Sequence, residues 1–243
     1  VTYDYHSVKL GIISFNLRNF TLDLAARWEN FNYGTMLIGD EFSGMVFGDE
    51  HLYSYNLWLH YNSENDRYFT THGASLEAGY SMYTDDFVHY RSSSPVHVVN
   101  GRWRFAVRLT DRLTLQPAVY GRILLGNEMP WCLSNFIGGD YAGHYVEQQL
   151  PFAGIGNIEV ADNAFVATGI KLQQRIMDNN YLIARAAFAL NSGKIRNLID
   201  SPLLHGYQLS WAYNSMFGPV NANIGYSSKT RRVFFYLNLG YEF

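Results

Sequence analysis

An alternation of apolar and polar side chains recurs along this chain and constrains its fold more than any other feature. Side chains of a β-strand point alternately to its two faces, so each alternating segment predicts a strand with one apolar and one polar face. In the clearest segment the apolar residues are Trp103, Phe105, Val107 and Leu109, and the polar ones are Arg102, Arg104 and Arg108. The pattern returns in about twelve segments, each near the length that a tilted membrane strand needs.

The last segment, residues 233–243, ends the chain on an apolar strand. Val233, Phe235 and Leu237 share one face, and Phe234 is an apolar residue on the otherwise mostly polar opposite face. Unpaired apolar strands promote aggregation of soluble proteins, whereas a closed barrel in lipid pairs every strand edge. The segments 8–15 and 35–40 alternate less regularly and predict weaker strands.

The connections between the predicted strands alternate in length. Short turns are predicted at 62–66, 110–112, 177–180 and 216–219, and long polar connections at 40–51, 85–99, 127–163 and 192–205. Membrane barrels carry short turns at the periplasmic end and long loops at the other end. This regular sorting favours a membrane barrel over a soluble sandwich.

Composition agrees with that interpretation. Aromatic residues make up 16% of the 243 residues, as the interfacial girdles of membrane barrels require. No window of about 18 consecutive apolar residues predicts a spanning helix. A soluble barrel, the alternative, would have to enclose the apolar faces of about twelve strands, which exceeds the interior of a small barrel. We therefore predict an all-β fold, a transmembrane antiparallel β-barrel.

Few residues point to chemistry. The net charge of -3 gives no reason to expect a nucleic-acid partner, and the single cysteine, Cys132, excludes an internal disulfide. The histidines show no metal-ligand spacing, and no Gly-x-Ser-x-Gly nucleophile elbow occurs. We therefore predict no metal, no cofactor and no catalytic residue in this chain.

The predicted barrel interior carries a basic strip on neighbouring strands. Its members are Arg102, Arg104, Arg108 and Arg122. Side chains on adjacent strands share a face and lie close together. The strip would therefore either attract anions or pair with a loop inserted into the lumen.

The connection 127–152 is the candidate for such a loop. Gly138, Gly139 and Gly143 lie among aromatic and apolar residues, unlike the glycines of a solvated surface loop. Glycine permits positive φ and close approach of two backbones. We expect this loop to fold back and pack inside the lumen.

The same loop resembles that of a known family. Phe136-Ile-Gly-Gly-Asp140 followed by Gly143-His144-Tyr145 is similar to the lumen-inserted loop of the bacterial surface-antigen barrels, which comprise barrel-assembly proteins and two-partner-secretion transporters. The branch attached to patatin-like phospholipases in Bacteroidetes-type bacteria is the most similar. In that family an arginine at the loop tip reaches the inner wall, and His144 stands at the matching position here. The resemblance implies a loop motif of Gly138, Gly139, Asp140, Gly143, His144 and Tyr145, and barrel-wall partners Phe165, Gly169, Arg175 and Arg185.

The resemblance also implies a cellular role. Family barrels have sixteen strands, whereas about twelve are predicted here, so either further strands lie upstream of Val1 or some predicted strands are merged. We expect residues 1–243 to be the C-terminal barrel part of a longer protein in the outer membrane of a Gram-negative bacterium. The barrel-assembly machinery would recognise the final strand through Tyr241 and Phe243. Other expected partners are outer-membrane lipids and an attached passenger or periplasmic domain, with the oligomeric state left open.

We expect the barrel to translocate or anchor an attached protein domain, with the lumen gated by the loop 127–152. Two alternatives stay open. One is a lipid-modifying enzyme, either a phospholipase-like barrel or the barrel of a patatin-like lipid hydrolase. The other is a passive porin that favours anions.

Overall fold

A computed structural model describes residues 3–33, 48–143 and 146–239. Its strands form one 11-stranded antiparallel sheet and one three-stranded sheet. The large sheet contains β1 (Tyr3–Leu17), β2 (Phe20–Tyr33), β3 (Glu50–Asn62), β4 (Gly73–Thr84), β5 (Val96–Arg108), β6 (Leu113–Leu125), β10 (Ala164–Met177), β11 (Asn180–Ser192), β12 (Leu204–Ser215), β13 (Gly218–Ser227) and β14 (Val233–Leu239). The small sheet contains β7 (Asn135–Ile137), β8 (Gln149–Leu150) and β9 (Glu159–Ala161).

Each strand of the large sheet pairs with its neighbour in the chain, except that β6 pairs with β10. The small sheet is inserted between these two strands. Thr168 lies opposite Val119 in that register, so the ladder continues without a gap. The all-β antiparallel fold predicted from the alternation is confirmed, while the weak strand predicted at 35–40 lies outside the described residues.

The outward face of the sheet is apolar, as the alternation predicts. On β14, Val233 and Phe235 are 68% and 72% exposed, whereas Phe234 between them is partly buried. The same face exposes large apolar side chains on the other strands, among them Trp103, Val119, Ile170 and Leu209. A soluble monomer rarely exposes so extended an apolar surface, whereas acyl chains would cover it in a membrane.

The opposite face is polar and buried. Across β1 to β4 it carries a hydrogen-bonded row: the hydroxyls of Tyr5 and Ser54 donate to Glu29 at 2.7 and 2.8 Å. The amide of Asn56 donates to Ser54 at 3.0 Å and accepts from Ser81 at 2.6 Å. Such cross-strand side-chain bonds stabilise the sheet and satisfy polar groups turned away from the outer surface.

The sheet curls so that distant strands meet across its polar face. Phe69, between β3 and β4, stacks on Tyr181 of β11 with ring centroids 4.2 Å apart. The Lys171 ammonium of β10 donates to the Tyr68 carbonyl at 3.2 Å. We call the enclosed space the lumen. Among the described residues no ladder joins β1 to β14, so these two edge strands leave the sheet open.

The turns at one end are tight. Leu17 pairs with Phe20 and Met177 with Asn180, and Arg18 and Asn179 adopt positive φ of 53° and 63°. Two-residue hairpin turns favour such left-handed conformations because they match strand twist. The short turn predicted at 62–66 is wrong, since the connection from β3 to β4 occupies 63–72. In the described part of the chain, no helix has the length and apolarity to cross a membrane.

Candidate functional site

The connection between β6 and β10, residues 126–163, is a folded element, and we call it the inserted loop. A 3-10 turn at Trp131–Leu133 leads into β7, which pairs in parallel with β8 and antiparallel with β9. The Gly138 amide donates to the Leu150 carbonyl at 3.0 Å, and the Gly139 amide to the Ile155 carbonyl at 2.9 Å. These bonds satisfy backbone groups of the loop from within the loop, as burial requires.

An apolar cluster joins the inserted loop to the wall formed by β6, β10 and β11. Phe152 of the loop is 1% exposed and meets Phe165 of β10, which is 0% exposed, with ring centroids 6.3 Å apart. Ile137 of the loop and Ala187 and Ala189 of β11 belong to the same cluster. Burying a phenylalanine side chain stabilises a packed arrangement by roughly 1.5–3 kcal/mol.

Glycines allow the loop backbone to lie directly on β12 and β13. Gly154 has a φ of 84°, and a Cβ atom there would overlap the Tyr226 carbonyl oxygen. A Cβ atom on Gly206 of β12 would overlap the Ala153 carbonyl oxygen. These positions accept no larger residue without moving the loop.

Phe234 of β14 packs on the same part of the loop. A Cβ atom on Gly156 would lie 2.6 Å from the Phe234 ring. This contact explains why an apolar residue stands on the otherwise polar face of the last strand. The sequence shows the exception in the alternation, but not its loop partner.

A charged contact lies at the centre of the interface. The Asp140 carboxylate, whose side chain is 3% exposed, forms an ion pair with Arg185 of β11. The Gln208 side-chain amide of β12 also donates to that carboxylate, at 2.8 Å. The Gln208 oxygen accepts from the Gly154 amide at 3.4 Å, so one wall residue contacts two parts of the loop. We call the Asp140–Arg185–Gln208 contact the latch.

Arg122 of β6 fixes the start of the loop. Its guanidinium donates to the Leu133 carbonyl at 2.6 Å and to the Asn135 side chain at 2.7 Å. The Asn135 amide donates back to the Arg122 carbonyl at 3.0 Å and to the Asp162 carbonyl at 2.7 Å. Asn135 thereby joins the beginning and the end of the inserted loop to the same strand.

The other three arginines of the basic strip have different partners. Arg102 forms an ion pair with Glu77 on the neighbouring strand. Arg104 binds Glu64, its Nε donating at 2.7 Å, and Arg108 donates to the Thr71 hydroxyl at 3.0 Å. Glu64 and Thr71 belong to the connection between β3 and β4, so the strip is distributed over several contacts instead of forming one open basic surface.

That connection, residues 63–72, is a second segment inside the lumen, and we call it the inner turn. Asp66 accepts from the amides of Tyr68 and Phe69 at 2.8 and 2.7 Å, which closes the turn locally. The buried Thr70 carbonyl accepts from Gln116 of β6 at 2.7 Å and Gln173 of β10 at 3.4 Å. Sequence reasoning missed this segment, although the pair Tyr68-Phe69 is unusually apolar for a surface turn.

The remaining predicted site residues are placed as follows. Gly143 has a φ of 71°, and a Cβ atom there would meet nothing within 4 Å. Gly169 lies beside the Tyr120 ring. Arg175 lies at the far end of β10, where it donates to the Asp111 carbonyl at 3.4 Å, away from the latch. His144, Tyr145, Tyr241 and Phe243 lie outside the described residues.

A cavity of about 500 Å³ lies between the inserted loop and the wall of β1 to β6. Its charged lining residues are Glu29, Glu77, Glu147, Arg102 and Arg122. The inserted loop thus leaves part of the space beside β1 to β6 unfilled.

Cys132 lies in the inserted loop and is buried with Leu133, Phe31 and Leu52. Burial in this apolar cluster raises the pKa of the Cys132 thiol to about 12. Thiols react as thiolates, so this cysteine is chemically inert while it stays buried. Within residues 3–33, 48–143 and 146–239, no cluster of three His, Cys, Asp or Glu side chains is placed to hold a metal ion.

Comparison with known proteins gives the family. Residues 8–243 match the OMP85 superfamily. Two solved structures, of a KdgM porin and of a KdgM porin in complex with disordered oligogalacturonate, are similar to this chain at 11% and 10% identity. Each match covers 97% of this chain and 94% of the other, with a TM-score of 0.35. No curated protein matches. Because the family match spans nearly the whole chain, this protein belongs to the OMP85 superfamily of outer-membrane barrels.

Proposed function

We propose that this barrel translocates or anchors an attached protein domain in the outer membrane of a Gram-negative bacterium, and that the inserted loop gates its lumen. Membership of the OMP85 superfamily and the packing of the loop support the proposal. The observation that carries it is the latch, in which Asp140 of the loop meets Arg185 and Gln208 of the wall.

The charges of the latch are reversed relative to the contact that the family resemblance implies. A loop arginine reaches the wall in the family, whereas here the wall supplies the arginine and the loop the carboxylate. Breaking a buried ion pair by removing one partner costs about 3–5 kcal/mol, because the other charge stays buried and uncompensated. A reversible opening of the loop would therefore have to rehydrate both charges together.

Single-channel recording in planar lipid bilayers tests the gate. The wild-type protein should show brief and rare openings, and Asp140→Asn should raise the open probability by at least tenfold. Glu147→Gln is the matched control, because Glu147 also joins the loop to the wall, through Arg27 at 2.8 Å, but its side chain is 56% exposed. Exposed pairs contribute about 0–1 kcal/mol, so this control should behave as wild type. Equal open probabilities in all three proteins would refute gating by the latch.

The cavity of about 500 Å³ supports a porin as the second candidate. A steady wild-type conductance that Asp140→Asn leaves unchanged would favour this alternative. The described charged lining has three carboxylates and two guanidinium groups, so it gives no preference for anions. Attachment to a patatin-like hydrolase remains a prediction of the resemblance.

A further inference from the structure

A second, smaller cavity of about 130 Å³ lies where the inserted loop and the inner turn meet, and we call it the basic chamber. Tyr68 of the inner turn and Tyr141 of the loop approach edge to face there, with ring centroids 5.9 Å apart. The cations that line it are Arg67, Arg102, Arg104, Lys171 and Arg185. Asp140 is its one carboxylate among the described lining residues.

Most of these charges are already neutralised. Arg102 pairs with Glu77, Arg104 with Glu64, and Arg185 with Asp140. The charged groups that surround Lys171 are Arg185, Arg104, Asp140 and Glu64, which are the members of two of these pairs. The charges of these two pairs cancel, so the surroundings of Lys171 supply no net negative charge to balance its ammonium.

Lys171 and Arg67 remain as the surplus cations of the chamber. The Lys171 ammonium donates to the Tyr68 carbonyl, and within the described ranges it has no carboxylate within 4.0 Å. The exposed Arg67 guanidinium lies over the Tyr68 ring, 5.5 Å from its centroid. A partly buried ammonium without a counter-ion is disfavoured, so this arrangement favours the entry of an anion.

The size and donors of the chamber define the anion. At about 30 Å³ per water molecule, its volume holds only a few waters or one small ion. An ammonium offers three donors, and a guanidinium offers a planar fork that matches phosphate oxygens.

We propose that the basic chamber binds a small free oxyanion of the phosphate type, with Lys171 as its central donor and Arg67 at its mouth. The anion binds while the inserted loop stays docked, because both the loop and the inner turn form the walls. The inference is therefore independent of whether the loop gates the lumen.

Equilibrium dialysis of the full chain in detergent against radiolabelled inorganic phosphate, at constant ionic strength set with chloride, tests this site. The wild-type protein should bind phosphate saturably, and Lys171→Met should weaken binding at least tenfold. Arg67→Ala, at an exposed position that the fold tolerates, should weaken it several-fold. Arg108→Met is the matched control, because Arg108 belongs to the same strip but does not line the chamber.

Each protein is first checked for the gel-mobility shift between heated and unheated samples, which reports a folded barrel. If Lys171→Met fails this check, Arg67→Ala decides the outcome against Arg108→Met. Absence of saturable binding to wild type at millimolar phosphate, or equal binding by all folded variants, would overturn the proposal. Neither outcome changes the conductance expected for the latch variants, so the two proposals fail separately.

Discussion

The inserted loop and the inner turn enter the same lumen from opposite ends of the sheet, but different chemistry holds them. The long loop brings its own sheet and an apolar face, and it meets the wall through Phe152, glycine contacts and the latch. The inner turn has no strand of its own, and wall side chains bind its backbone at Thr70 and Tyr68. A long insertion can satisfy more of its own backbone, whereas a short one depends more on side chains of the wall.

This difference predicts how each segment responds when its contacts with the wall are removed. Loss of one side chain should release the inserted loop as a unit, because its interior stays bonded. The inner turn should lose order locally, because wall side chains bind its Thr70 and Tyr68 carbonyl groups. The reactivity of Cys132 measures opening of the inserted loop, because this residue packs with residues of the loop and its wall and with none of the inner turn.

The largest expected effect concerns the reactivity of Cys132. Because burial raises the pKa of this thiol to about 12, its thiolate fraction at pH 8 should be on the order of 1,000-fold below that of an exposed cysteine. Maleimide labelling of the native protein at pH 8 should therefore be much slower than labelling of the urea-unfolded protein, in which the thiol is exposed. Equal rates in the two states would show that Cys132 is accessible in the native protein.

The next effect tests whether the latch holds the loop. Asp140→Asn removes the charge but keeps the shape, leaving Arg185 unpaired. A loss of about 3 kcal/mol should raise the rate of Cys132 labelling roughly 100-fold at fixed pH. Glu147→Gln should leave that rate within about twofold of wild type. If Cys132 of the Asp140→Asn variant is labelled as slowly as that of wild type, apolar packing alone holds the loop.

A substitution at a glycine contact tests whether close packing, as opposed to the ion pair of the latch, holds the inserted loop. Gly206→Ala places a methyl group against the Ala153 carbonyl and the Phe152 ring, and overpacking of this kind costs about 1–3 kcal/mol. Labelling of Cys132 should increase about tenfold. Gly193→Ala serves as the control, because a Cβ atom there meets nothing within 4 Å. Equal labelling of the two variants would mean that the loop shifts without opening.

The smallest effect concerns the inner turn. Replacing Gln116 and Gln173 by leucine leaves the buried Thr70 carbonyl without these donors, at about 1–3 kcal/mol. We expect faster proteolysis within 63–72 and an unchanged Cys132 labelling rate. Gln174→Leu is the control, because that side chain donates to the neighbouring Arg175 carbonyl and not to the inner turn. Faster labelling in the double variant would show that the two segments open together.

Much of the fold was predictable from the order of apolar and polar residues along the chain. The alternation identified which side chains face outward on β5 and β14, because the strand period is two whatever the surroundings are. Trp103, Phe235 and their neighbours are exposed on that face in the structure. The glycines among aromatic and apolar residues also marked the inserted loop as unusual, although they did not reveal its contacts.

Pairings between distant residues could not be read in this way. The family resemblance named Asp140 in the loop and Arg185 among four wall residues, but it did not pair these two or include Gln208, since two strands and a loop bring the three side chains together. The inner turn was missed for the same reason, because its role depends on Gln116 and Gln173 of strands that follow later in the chain.

By itself, then, the sequence determined the strand faces and the apolar outer surface, because both follow from local periodicity. It also determined the family, because residues 8–243 match the family along nearly the whole chain. The tertiary structure decided which polar side chains meet in the lumen. Strand register and sheet curvature set those distances, and both arise from the whole sheet, not from any one segment.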